Sequence, residues 1–209
     1  MKVVWMWMVI IMASAVLFVQ HPAESQAQST ATYTVKWGDS LWKISKRYQI
    51  GLSEIINANP QIANPDLIYP GQKVTVPLKK QVKSIEQQVI DLTNQERTSR
   101  GLPALKEDWQ LSRVARYKAR DMASNGYFSH TSPTYGSPFQ MMSDFNISYR
   151  SAAENIAAGQ RTAQEVVNGW MNSSGHRKNI LNRNLTHIGV GYAKGGSYGT
   201  YWSQMFISK

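Results

Sequence analysis

Ala153-Glu154-Asn155-Ile156-Ala157 and Trp170-Met171-Asn172-Ser173-Ser174-Gly175-His176-Arg177 bracket the stretch on which the fold of this chain turns. A carboxylate sits among small apolar residues, an amphipathic segment carrying Trp170 follows, and a glycine directly precedes a histidine. An isolated buried carboxylate is too costly to stay ionised, so Glu154 needs a partner. His130, in Phe128-Ser129-His130-Thr131-Ser132-Pro133, is the earlier residue expected to join Glu154 and His176 in one cleft.

Working outward, Ser84-Ile85-Glu86-Gln87 has the form of a capping box opening a helix, with Ile85, Val89, Leu92 and Glu96 on one face. Gly101-Leu102-Pro103 stops it. A second helix is expected over 109–123, with Leu111, Val114, Ala115 and Met122 toward the core and Gly126 past its end. Pro138 opens another at its first turn. Thr162-Ala163-Gln164-Glu165 is a further capping box, and the helix it opens buries Val166, Val167, Trp170 and Met171. Glu165 thereby has a structural job. Ile188-Gly189-Val190-Gly191-Tyr192 and Tyr201-Trp202-Ser203-Gln204-Met205-Phe206 are apolar strands, with Lys194-Gly195-Gly196 and Gly199 in the turn between them. Helices first and strands last predict an α+β layered domain over 84–209.

Toward the N-terminus, Tyr33 and Val35 alternate with Thr34 and Lys36 as a short strand. Gly38-Asp39 turns the chain, Asp39 or Ser40 caps a helix carrying Leu41, Ile44 and Tyr48, and Ser53 caps a second helix that Asn59-Pro60 ends. After Tyr69-Pro70-Gly71, Val74 and Val76 alternate up to Pro77. The order is βααβ over 32–79. The charged run Lys79-Lys80-Gln81-Val82-Lys83 reads as a linker at 80–83, or as a basic patch against an anionic polymer.

The first residues carry a different message. Lys2 precedes an apolar run from Val3 to Val19 broken only by Ser14, then polar residues and Ser25-Gln26-Ala27. This is the pattern of a secretory signal over 1–27, with an uncleaved anchor as the alternative. Cysteine is absent, which excludes a disulfide framework, a thiol nucleophile and a thiolate metal site. The net charge of +10 is unchanged by removal of the leader, which carries one lysine (Lys2) and one glutamate (Glu24). Export directs that charge away from nucleic acid and toward anionic wall polymers or other envelope or spore proteins, with no stable membrane span once the signal is removed.

Tyr33-Thr34-Val35, Gly38-Asp39-Ser40-Leu41-Trp42-Lys43-Ile44-Ser45, Asn57-Ala58-Asn59-Pro60 and Leu67-Ile68-Tyr69-Pro70-Gly71-Gln72 resemble the LysM family along its whole length. The resemblance implies binding of peptidoglycan or a chitin-like glycan containing N-acetylglucosamine. The implied groove uses Gly38, Asp39, Ser40 and Leu41 on one side and Asn64, Leu67 and Ile68 on the other.

Residues 84–209 resemble the CAP superfamily in its cysteine-free bacterial form. The resemblance rests on Asn94-Gln95-Glu96-Arg97, the His130 and Glu154 segments, Trp170 to Arg177, Gly189-Val190-Gly191-Tyr192 and Tyr201-Trp202-Ser203-Gln204. It implies an α-β-α sandwich and a cleft holding His130, Glu154 and His176. A second cleft glutamate belongs shortly after the tryptophan, but Met171, Asn172 and Ser173 stand there.

Two imidazoles and one carboxylate would hold zinc or another divalent cation with water completing the shell, or else form a hydrogen-bonded polar network. No serine elbow is present, and Ser132 sits against a proline without a triad signature. No catalytic residue is therefore assigned. The chain reads as a secreted protein of the cell wall or spore envelope, with a metal-dependent wall hydrolase or peptidase as the alternative.

Overall fold

The computed structural model describes residues 30–78 and 80–209. The signal-sequence reading and Lys79 lie outside them, as do the side chains of 80–84, including the cap expected at Ser84. Among the described residues no helix is long and apolar enough to cross a membrane.

The N-terminal unit pairs β1 (Thr30–Thr34) antiparallel with β2 (Lys73–Pro77), and between them run α1 (Leu41–Tyr48) and α2 (Leu52–Asn57). Ser40 caps α1 by accepting from the Lys43 amide. Val35, Leu41, Ile44, Ile50, Ile55, Val74 and Val76 form its core. Asn59 locks the last turn to the sheet: its side chain donates to the Ile55 and Thr75 carbonyls and accepts from the Thr75 amide. The second helix departs from expectation. Its cap is Gly51, whose amide donates to Glu54 at 2.8 Å, and Ser53 lies inside the helix. The Ser53 hydroxyl instead meets the Tyr117 hydroxyl at 2.9 Å, beside an ion pair of Glu54 with Arg120 at 3.3 Å.

The C-terminal unit opens with α3 (Lys80–Thr98), which begins four residues before the expected start and so takes in the charged run read as a linker. Lysine, glutamine and valine without an intervening glycine or proline allow a helix to propagate backward. After β3 (Lys106–Glu107) come α4 (Trp109–Asn125), α5 (Pro138–Asp144), β4 (Ser151–Ala158), α6 (Ala163–Asn172), α7 (Ser174–Ile180), β5 (His187–Lys194) and β6 (Thr200–Ser208). The sheet order is β3-β5-β6-β4, so the two strands read from the sequence are the inner pair.

Period-two alternation explains the layers. On one face, Ile188, Val190, Tyr192, Trp202 and Phe206 pack with Val89 and Ile90 of α3 and Val166, Val167 and Trp170 of α6. On the other, Met205 and Ile207 pack with Leu111, Val114 and Ala115 of α4 and with Met141 and Met142. Gly189 and Gly191 point the same way, and a Cβ on either would lie within 2.4 Å of α4 backbone. The result is the α-β-α sandwich of the α+β class. Glu86 of α3 and Arg116 of α4 meet around the sheet in a buried ion pair at 2.7 Å.

Candidate functional site

Strand β4 is an edge strand whose neighbouring residues Glu154 and Asn155 face opposite sides of the sheet. Each draws one histidine segment toward the edge. Glu154, with only 1% of its side chain exposed, bonds His130 Nδ1 at 2.8 Å and accepts from Ser203 Oγ at 3.1 Å. Asn155 donates to the His176 carbonyl at 3.2 Å and accepts from Asn179 at 2.9 Å, which fixes α7. Asn155 also donates to Gln204, which in turn donates to Thr93 of α3. Asn155, Gln204 and Thr93 are fully buried, so this chain of amides and a hydroxyl ties α7 to α3 across one face of the sheet.

The loop carrying His130 is held from α4. Lys118 is fully buried, and its ammonium donates to the carbonyls of Ser129 and His130 at 2.7 Å each. Burial pushes its pKa down, while the charges of Glu154 and Asp121 pull the other way. Asp121 accepts from Ser132 and Thr134 at 2.6 Å each, and from Tyr127 and Asn125. Burial raises the Asp121 pKa, but these hydrogen bonds outweigh it and hold the carboxyl below its usual range. Ser132, two residues after His130, is committed to this carboxylate. Arg97 of α3 fixes the other end of α7. It is fully buried and donates to the carbonyls of Ile180, Asn182 and Pro103.

The cleft is therefore a buried carboxylate holding a half-exposed imidazole by Nδ1, while the His176 segment is held through its main-chain carbonyl by Asn155. Both Glu154 oxygens already have partners in the protein. Among the described residues no three His, Asp or Glu side chains converge to hold a metal ion. The Glu154 carboxylate is instead shared between His130 Nδ1 and Ser203 Oγ. Glu165 lies apart: its amide donates to the Thr162 hydroxyl, as the capping box implies, while its carboxylate accepts from the Arg161 amide at 2.8 Å and not from that of Thr162. His187 starts β5, with Nδ1 against Thr186 Oγ1 at 2.8 Å.

Burial and the positive neighbour His130 lower the His176 pKa from its usual 6.5. A histidine whose folded pKa lies below its unfolded value stabilises fully above the unfolded pKa and loses that contribution as pH falls through the folded one. His176 is thus expected to titrate below 6.5, and the His176→Gln variant to lose less stability between pH 7 and 5 than the parent. Imidazole NMR shifts and denaturant melts across that range measure both effects.

In the N-terminal unit Gly38, Asp39 and Ser40 precede α1, Leu41 opens it, and Asn64, Leu67 and Ile68 lie between α2 and β2, so the seven groove residues are not equivalent. Asp39 accepts from the Lys36 amide at 2.8 Å and the Tyr33 hydroxyl at 2.7 Å, which fixes the turn. These bonds hold its carboxyl below the usual range, with help from Arg47. Ser40 is the helix cap, Gly38 takes φ +80°, and Leu41 is buried, so what Leu41 offers a ligand is main chain. Asn64 and Leu67 are exposed and Ile68 is half-buried. Sequence reasoning missed Trp37, 92% exposed immediately before Gly38, and Tyr69 on the adjoining turn. The two turns leave the sheet together because Val35 bonds Gly71 and Gln72.

Fold and cleft define a small βααβ module followed by an α-β-α sandwich with a carboxylate–imidazole cleft at a sheet edge. Residues 90–206 match the cysteine-rich secretory protein family and residues 33–77 match the LysM domain. The chain belongs to the cysteine-rich secretory protein, or CAP, family and carries an N-terminal LysM domain. It is 58% identical over 128 residues to the uncharacterized protein YkwD of Bacillus subtilis, a match covering 61% of this chain and 49% of that one. The chain thus spans about half the length of that relative. An extracellular SCP-domain protein of Bacillus anthracis superposes with a TM-score of 0.56 at 40% identity, covering 67% of this chain and 47% of the other. Over 47 residues the LysM segment is 47% identical to the spore coat assembly protein ExsA of Bacillus cereus, covering 22% of this chain and 7% of that one.

Proposed function

We propose that the protein is exported and held on peptidoglycan by residues 32–79, leaving the CAP domain to bind a second envelope or spore component. The observation that carries this reading is the LysM domain of residues 33–77. Backbone amides and the Asn64 amide suit acetamido groups, and Leu67, Trp37 and Tyr69 offer apolar faces to pyranose rings. The leader reading, and the spore-coat relative of the LysM segment, support a place in the wall or spore envelope. In the CAP cleft, the carboxylate-held and half-exposed His130 imidazole offers a polar group to a ligand.

The full chain is expected to sediment with purified peptidoglycan, and a chain lacking 32–79 to remain in solution. Leu67→Ala is expected to weaken binding several-fold without lowering the melting temperature. If the truncated chain sediments equally well, the anchor assignment falls. Release of soluble wall fragments by the parent, abolished in folded His130→Ala and His176→Ala, would replace the binding role of the cleft with hydrolysis.

A further inference from the structure

We propose that a cavity between the loop after β4 and the β5–β6 turn binds a polyol phosphate polymer, an anionic partner that the cleft and the LysM groove do not account for. The cavity measures about 390 Å³ and is walled by Arg161, Lys194, Tyr192, Tyr198 and Thr200. None of its lining residues belongs to the His130–Glu154–His176 cleft.

Charge is the first argument. No acidic side chain lines the cavity. Arg47, Arg100, Arg116, Arg120 and Lys209 each sit against a carboxylate, whereas Arg161 and Lys194 form no ion pair among the described residues. Glu165 is nearby, but it accepts from the Arg161 main-chain amide. Two unneutralised cations facing one cavity suit a ligand with repeated single negative charges. A larger cavity, of about 520 Å³, lies between Asp108 and Arg150, but its Lys209 is already bound to Asp108 at 2.6 Å.

Rigidity is the second. The Gly159 amide donates to the Thr200 carbonyl at 2.9 Å, and the Gln160 carbonyl accepts from both Thr200 Oγ1 and Trp202 Nε1. The opposite wall is a turn closed by Gly195 N to Gly199 O at 2.9 Å. Gly196 lies so close beneath it that a Cβ would stand 2.7 Å from the Tyr201 ring. The cations thus rise from a preorganised backbone, which limits the ordering cost of binding.

The third argument concerns what lies between the charges. Tyr198 is 55% exposed, its ring flanked by Phe128 at 6.0 Å and Tyr201 at 5.8 Å. A fixed phenol presents an apolar face to the C–H groups of a polyol and a hydroxyl to its oxygens. A nucleic acid duplex is a poorer fit, because it needs a long basic stripe to match its closely spaced phosphates.

The test uses the full chain and synthetic poly(glycerol phosphate), which contains no amino sugar and so does not engage the LysM groove. The R161Q/K194Q variant is expected to bind about tenfold or more weakly, and the slope of log K against log salt to shrink by about two. K178Q/R183Q removes the same charge from residues outside the cavity and is expected to bind nearly as the parent does. Equal weakening in the two pairs would mean attraction by net charge alone and would overturn the site, as would failure of the parent to bind. Tighter binding of single-stranded DNA or phosphatidylglycerol vesicles, with the same dependence on Arg161 and Lys194, would overturn the choice of occupant. Thermal melts of each variant establish that the fold is retained.

Discussion

Gly191→Ala is expected to unfold the C-terminal domain or to lower its melting temperature by more than 10 °C, by an estimate of about 4 °C per kcal/mol for a domain of this size. The added Cβ would lie 2.1 Å from the Ala115 carbonyl carbon and 2.2 Å from the Arg116 amide nitrogen. Those are backbone atoms in the middle of α4, so no side chain can rotate away. Relief requires lifting the helix from β5, which would separate Leu111, Val114 and Ala115 from Met205 and Ile207. Overpacking a core ordinarily costs about 1–3 kcal/mol, and a rigid clash of this depth belongs at or above the top of that range. Gly189→Ala meets Leu111 and Ser112 backbone at 2.4 Å and is expected to behave alike. Gly169→Ala is the control. A Cβ there enters open space on the exposed face of α6, and the substitution is expected to stabilise by up to about 1 kcal/mol. Circular dichroism melts of the three variants against the parent decide the matter. A Gly191→Ala protein that melts with the parent would show that α4 is not seated on the sheet as described.

Arg116→Ala is expected to cost about 3–5 kcal/mol, because it removes the guanidinium that faces the buried Glu86 carboxylate. Arg116 Nε reaches both Glu86 oxygens, at 2.9 and 2.7 Å, and both side chains are almost wholly enclosed. Glu86 also accepts from the Tyr192 amide at 3.0 Å. The pair therefore joins α3, α4 and β5 across the layers. Replacing both charges with apolar residues is expected to recover much of the loss, since two desolvation costs disappear together. Recovery should be incomplete, because the Tyr192 amide then lacks its acceptor and a buried unpaired N–H costs about 1–3 kcal/mol. Denaturant unfolding of Arg116→Ala and of an Arg116→Met/Glu86→Leu double variant measures both steps. A double variant no more stable than the single one would refute the account.

The candidate cleft was legible in its residues and illegible in its supports. His130, Glu154 and His176 stand out because histidine and glutamate beside small residues are conspicuous, and because the CAP resemblance places them. Glu154 and His130 do meet, and the His176 main chain is bonded by the neighbouring Asn155. Nothing local announced that Ala153-Glu154-Asn155-Ile156-Ala157 is a strand, since alanine has little strand preference and the alternation is weak. It becomes β4 by pairing along β6, from Ser151 opposite Ser208 to Ala158 opposite Tyr201. Lys118 and Asp121 left a trace that went unread: they interrupt the apolar face of α4 among Val114, Ala115, Ala119 and Met122. A lysine at a core position of a helix asks for carbonyl or carboxylate partners, and here the Ser129–His130 loop supplies them.

By itself the sequence determined the class of each half, through helix caps, glycine-proline punctuation, hydrophobic period and the motifs of two families. These are short-range signals, set by backbone sterics and by which face of an element is apolar. Only the tertiary structure decided what Glu154 does. Its two oxygens are divided between His130 and Ser203, residues 24 and 49 positions away. Side-chain partnership over such separations depends on sheet order and on which face of an edge strand each residue occupies, and neither is written in local propensity.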